Sequence, residues 1–280
     1  MNRHAGWVWV VVQAIGSSEA MPVGSIDAIS ITSERSVYPH RKAVQLQGQE
    51  YILPQFVIGG EWASTIKITN RGTKAVNAIP FFMVDNNGLP LNSTFRLSDG
   101  RVITDSAFTV TLSVGGILEA TFAGGKDSQF GHVLIGCPAT GTCETPGLYS
   151  DVTLRNRNAT RPDFESVFPV EQPYASQYLM FDGRNGFTTL LYLINASTSS
   201  TGVTLDIVDN SNVLLRSVSL TMKAGEAQLH TLHVLAPQSI GVLGTVVIRA
   251  QNNRPAIVAT GLRLTPSNSF TPLRAFAPPQ

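Results

Sequence analysis

The chain has 280 residues, a formal net charge of +1, and 43% hydrophobic but only 14% charged residues. That length accommodates two domains of roughly 100–150 residues each. The near-neutral balance argues against nucleic acid or an anionic membrane as partner, because no basic stripe supplies the attraction either would need.

Residues 1–20 read MNRHAGWVWVVVQAIGSSEA. Arg3 precedes a short apolar core, Gly6–Ile15, and Ser18-Glu19-Ala20 fits a small-x-small cleavage site, with Val12-Gln13-Ala14 as a second option. That is the form of an export signal. The core is shorter than the roughly 20 residues of a bilayer-spanning helix. No other apolar run is longer, so the expectation is an extracytoplasmic mature chain with no membrane span. A β-prone run, Val8–Val12, leaves an N-terminal strand as the second reading. Residues 21–50 read as a polar leader carrying an edge strand.

Residues 51–170 form a first repeat. Ile66 and Ile68, Ala78–Met83 and Phe108–Val114 alternate with the period of half-buried strands. Asp85-Asn86-Asn87-Gly88 reads as a turn. Asn92–Ala107, with the turn Ser98-Asp99-Gly100 inside it, reads as an added hairpin. Val133–Ile135 and Leu148–Leu154 are expected to pair as a hairpin around GCPATGTCETPG. Cys137 and Cys143 in that loop have neither the spacing of a redox motif nor a zinc partner set. A disulfide is the expectation in an oxidising compartment; two free thiols flanking a turn is the other reading. Arg155, Arg157 and Arg161 cluster but are answered at once by Asp163 and Glu165, which suits a solvated strand end better than an anion site.

Residues 171–177 carry little hydrophobicity and read as a linker. Residues 178–280 then repeat the earlier pattern. FTTLLYLIN, Phe187–Asn195, matches WASTIKITN, Trp62–Asn70, with no residue gained or lost. VTLDIVDNSN echoes IPFFMVDNNG. Such self-similarity has to be found before any element is assigned. Gly244–Ala250 and Ala256–Leu264 are expected as a final hairpin, and Leu232–Ala236 as the one helical turn. Short strands punctuated by Gly, Asn and Pro predict an all-β fold. The expected form is two tandem antiparallel β-sandwich domains of the immunoglobulin/fibronectin-III-like kind, packed lightly across a polar interface.

At YILPQF, GGEWASTIKITN and FFMVDNNGLPL the chain resembles a family of secreted bacterial proteins built from tandem β-sandwich domains. The second repeat keeps the aromatic residue, the Asn and the Asp but places Asp182–Gly186 before the aromatic. The resemblance implies the fold and export. It carries no catalytic residue across.

Residue chemistry points the same way. His230 and His233 are the one close histidine pair, and no carboxylate beside them completes a metal site. Asp85 lacks the glutamate of a calcium-binding loop and suits turn chemistry. No cofactor is expected. Trp62 and Phe187 are the candidate aromatic platform for a sugar ring; packing at the start of a core strand is their competing role. The functional expectation is a non-enzymatic exported protein with a structural, adhesive or binding role at the cell envelope. Its partner would be a cell-surface protein or polysaccharide, not nucleic acid. The alternative is a carbohydrate-binding or accessory module of a secreted hydrolase system.

Overall fold

The computed structural model describes residues 51–122, 124–136, 148–157, 164–266 and 269–277. The expected export signal, the leader, and Cys137 and Cys143 lie outside them. The first half contains β1 (Tyr51–Ile58), β2 (Trp62–Asn70), β3 (Val76–Asp85), β4 (Ser93–Leu97), β5 (Val102–Asp105), β6 (Ala107–Leu112), β7 (Ile117–Phe122), β8 (Gln129–Ile135), β9 (Leu148–Asn156) and β10 (Phe164–Pro169). The second contains β11 (Ser176–Asp182), β12 (Thr188–Asn195), β13 (Thr201–Asp209), β14 (Leu214–Met222), β15 (Ala227–Thr231), α1 (Leu232–Leu235), β16 (Leu243–Ala250), β17 (Ile257–Leu264) and β18 (Phe270–Arg274). The α-helical turn α1 falls where the sequence predicted it, and three short 3-10 turns, Arg184–Gly186, Pro237–Ser239 and Gln251–Asn253, accompany it among the described residues.

All-β architecture follows from the period-two pattern. In β4, β6 and β7 buried and exposed residues alternate without a break, so each strand hides one face and solvates the other. Among the described residues four antiparallel sheets result, and their strand orders are two copies of one plan. The first half pairs a sheet β1-β8-β3-β6 with a sheet β10-β9-β2-β7-β4-β5. The second pairs β11-β16-β13-β14 with β18-β17-β12-β15. The added hairpin, β4 with β5, extends the first half's second sheet beyond β7.

Two expected hairpins are not formed. β8 joins β1 and β3, whereas β9 joins β2 and β10. Likewise β16 joins β11 and β13, and β17 joins β12 and β18. In both places the chain crosses from one layer of the sandwich to the other. Alternation reveals that a strand has a buried face but not which sheet supplies its neighbours. The edge strands β10 and β18 were also absent from the sequence reading.

Between the layers the halves are filled differently. Phenylalanines dominate the first core: Phe56 meets Phe122 edge-on at 4.7 Å, and Phe95 lies 4.6 Å from Phe122 and 5.0 Å from Phe108. The second core is mostly aliphatic, with Leu191, Leu193, Val203, Leu205, Ile207, Val246 and Ile248 buried.

Duplication extends to individual hydrogen bonds, which explains the asparagine closing each copy of the repeated run. Asn70 Nδ2 donates to the carbonyls of Lys74, Leu112 and Ser113, and its Oδ1 accepts from Gly72 N–H. Asn195 does the same with Ser199, Met222, Lys223 and Ser197. Each asparagine is fully buried and ties two loops to the end of its strand. Asn195→Ala would leave these carbonyls without their donor, an expected loss of about 1–3 kcal/mol. Urea unfolding of the variant checks this; an unchanged midpoint would mean the loops hold themselves.

Turn chemistry repeats too. Asp85 Oδ1 accepts from the N–H groups of Asn87 and Leu89, each at 2.8 Å. Asp209 Oδ1 accepts from Ser211 and Val213 at the same distances. The carboxylates brace their own turns.

The junction between the halves departs from the expected light, polar contact. Ile52 from β1 packs with Tyr192, Ile194, Ala227 and Val258 of the second half, and Leu134 lies against them. Every residue of β12 is buried, because its inward positions fill the second core while Tyr192 and Ile194 face the first half. Polar contacts cross as well. Tyr192 Oη donates to Asn86 Oδ1 at 2.8 Å, and Ala227 N–H donates to the Asn86 carbonyl at 3.0 Å. Gly88, at φ +80°, passes so close that a Cβ there would lie 2.7 Å from the Ala224 carbonyl oxygen. The linker is itself engaged: Glu171 exchanges two backbone hydrogen bonds with Ile52, and Tyr174 N–H donates to Ile257. Apolar residues at the outward positions of β12 are the signal that could have shown this interface.

Candidate functional site

Trp62 and Phe187 are not brought together. Trp62 is half-buried at the start of β2, its ring 6.2 Å from that of Phe270 across the junction. It also packs against the first core. Phe187 is half-buried just before β12, with the Arg263 guanidinium 4.9 Å from its ring centre. Each ring is already engaged on one side by a neighbour.

The histidines do not converge either. His230 Nε2 lies 3.1 Å from Gln228 Oε1, and His233 Nδ1 lies 3.3 Å from Thr188 Oγ1. Burial lowers the pKa of both. His132 on β8 is fully buried, and neither ring nitrogen has a hydrogen-bond partner among the described residues. Desolvation lowers its pKa to about 3, so it stays neutral. Among the described residues there is no group of three or more His, Cys, Asp or Glu placed to hold a metal ion.

A groove of about 180 Å³ runs between the edge strands β10 and β18, lined in part by Val167, Phe168, Thr260 and Pro272. Its volume falls below the roughly 300–1,000 Å³ of small-molecule sites. Glu171 and Arg274 close it with an ion pair of 2.8 Å. Burial raises the Glu171 pKa, and the hydrogen bond from Arg274 opposes that rise. The pair braces the junction beside the linker.

The second half carries a more distinctive surface. Phe276 bridges to Tyr178 on β11, which pairs with Val247 on β16; Val247 faces Asp206 on β13, and Asp206 faces Ser217 on β14. Cross-strand partners share a face, so these five residues form one row across the sheet. Met180 follows Tyr178 on the same side of β11. Phe276 is 56% exposed, Met180 57% and Tyr178 37%. At the other end of the row Asp206 accepts from Ser217 Oγ at 2.6 Å and is ion-paired with Arg249. Both interactions lower the Asp206 pKa, the Ser217 hydrogen bond more than that from Arg249.

The first half has the same row. Glu171 bridges to Ile52, Ile52 pairs with Leu134, and Leu134 with Phe82. There the row's Ile52 and Leu134 lie under the second half, whereas Tyr178, Met180 and Phe276 are open. This surface was missed in the sequence because Tyr178 and Phe276 are remote in the chain, and only the bridge between them shows that they are neighbours.

Among the described residues no helix is long and apolar enough to cross a membrane. No family model and no curated protein matches the chain. Among solved structures, one similar chain is the M60 catalytic domain with the CBM51-1 and CBM51-2 domains from Clostridium perfringens ZmpB. Identity is 7% and the TM-score 0.18, over 82% of this chain and 34% of that one. The chain thus spans about a third of the length of that structure, and a likeness at this level supports no conclusion about fold or function.

Proposed function

We propose that the chain is a non-enzymatic, exported protein of two tandem immunoglobulin/fibronectin-III-like sandwiches with a structural, adhesive or binding role at the cell envelope. The observation that carries this reading is the open apolar patch that Tyr178 and Met180 of β11 form with Phe276, which bridges to the edge of that strand. Exposed aromatic and methionine side chains grouped on one face mark contact surfaces, whereas scattered ones do not. The ionisable groups support a non-catalytic role, since many already serve turns or ion pairs. Asp85 and Asp209 brace turns; Asp182 pairs with Arg184, Asp206 with Arg249 and Glu171 with Arg274.

Fractionation of cells expressing the full chain tests the proposal. Wild type is expected in the envelope fraction, with its mature start near Met21. Tyr178→Ser combined with Phe276→Ser is expected to move it to the soluble extracytoplasmic fraction. Full-length protein retained in the cytoplasm would overturn the reading.

The aromatic pair Tyr178–Phe276, with Asp206 and Ser217 in the same row, favours a second reading, a carbohydrate-binding module. Pull-down on insoluble polysaccharide with the same double variant separates it from the first.

A further inference from the structure

We infer that the groove between β10 and β18 binds a single ring of a neutral sugar through Glu171, Arg274 and Thr260. This is a second site, at the junction of the halves, and it does not depend on the open patch of β11. Size sets the first bound. At about 180 Å³ the groove is too small for a drug-sized molecule. It is larger than the roughly 150 Å³ of a protein cavity that takes up one six-membered ring. A single ring with small substituents is therefore the size class it admits.

Strand register decides which groups reach it. Thr260 pairs with Tyr192 on one side and with Arg274 on the other. Cross-strand partners share a face, and Tyr192 faces the first half. Thr260 and Arg274 therefore project toward the first half, as does Pro272, two residues before Arg274. Val167, Pro169 and Glu171 supply the opposite wall. Thr260 is 3% exposed, and its Oγ1 has no hydrogen-bond partner among the described residues. A buried hydroxyl without a partner is costly, so this one calls for a partner inside the groove. Glu171 is 7% exposed, and among the described residues its carboxylate is met by Arg274 alone. An ionised carboxylate accepts about four hydrogen bonds, so it has room for further donors. Arg274 spends Nε and Nη2 on Glu171, which leaves Nη1 to donate elsewhere. Carboxylate acceptors, a guanidinium donor and a hydroxyl that does either match adjacent hydroxyl groups on one ring. The two charges offset each other, so an anion meets Glu171 and a cation meets Arg274. Pro169 and Pro272 offer apolar surface to the C–H face of the ring.

Titration calorimetry of the full chain with glucose, galactose and mannose tests the inference. Wild type is expected to bind at least one of them weakly, with a Kd of about 1 mM, as suits so small a contact. Thr260→Val keeps the shape of the side chain and removes its hydroxyl. It is expected to weaken that binding by at least about tenfold, with circular dichroism unchanged. Val167→Trp, at an exposed position on the groove wall, is expected to abolish binding by filling the groove, and it reads the same site should Thr260→Val fail to fold. Tyr178→Ser is expected to leave the affinity as it is. The inference is overturned if none of the three sugars binds, or if both groove variants bind as tightly as wild type. It also falls if Tyr178→Ser alone abolishes binding, because the sugar then sits on β11, where the second reading of the function places it. Displacement of the sugar by acetate would show an anion taking Arg274 and would overturn the neutral ligand class.

Discussion

Ile52→Ala and Ile194→Ala, one in each half, are each expected to lower a single shared thermal transition. Both side chains are fully buried in the cluster between the halves. Truncating a buried isoleucine to alanine costs about 2–5 kcal/mol, the spread reflecting how far the cavity collapses. If the halves unfolded independently, a junction mutation would expose only what docking had covered and leave two melting events. The Tyr192–Asn86 and Ala227–Asn86 hydrogen bonds and the Glu171–Arg274 pair cross the same boundary as the apolar cluster. Opening it therefore breaks packing and polar contacts together. Residues sharing a cluster also couple, so the double variant should depart from additivity by about 0.5–3 kcal/mol. Scanning calorimetry decides the matter. Two transitions, with only the mutated half shifting, would show that the junction does not hold the halves as one body.

That expectation reverses what the sequence suggests, and the reason is specific. Residues 171–177 look like a free linker because they carry little hydrophobicity. Yet Glu171 and Tyr174 are held through backbone hydrogen bonds, which do not depend on side-chain identity. The apolar side of the junction lies far away in the chain, on alternate residues of β12. The run TTLLYLIN reads as a core strand, and it is buried on both faces. By contrast, features set by local chemistry were legible. The paired Asp-Asn turns, the asparagine ending each repeated strand, the inserted hairpin and the helical turn at Leu232 all stand where the sequence pointed. Which strands share a sheet was not legible, because β8 and β9 are adjacent in sequence but lie in opposite layers. The candidate surface was hidden for a related reason. Tyr178 and Phe276 become one patch only when the chain after β18 returns to the edge of β11.

Acidification is expected to destabilise the protein through His132, and the sign follows from its surroundings. Val133 and Ile135 point into the first core, so His132 and Leu134 point to the opposite face of β8. Leu134 packs into the junction there, and His132 is fully buried, with no hydrogen-bond partner among the described residues for either ring nitrogen. The folded-state pKa is lowered from 6.5 to about 3 by desolvation. Between those values the unfolded chain binds a proton that the folded chain refuses. Stability is therefore complete above pH 6.5 and falls as pH drops toward 3, by about 1.4 kcal/mol per unit. From pH 6.5 to 5 the expected loss from this residue is about 2 kcal/mol. His230 and His233 contribute with the same sign, since burial lowers them as well. Glu171 and Asp151 contribute with the opposite sign, because desolvation raises their pKa and the folded state takes up their protons first. The His132 share is isolated by comparing wild type with His132→Leu, which keeps the other groups and leaves no polar atom unsatisfied. Urea unfolding at a series of pH values should show the variant's stability falling less steeply with acidification, by close to the full slope assigned to His132. Parallel pH profiles for the two proteins would show that His132 gains its proton without opening the fold, and the account of it as a buried neutral residue would fail.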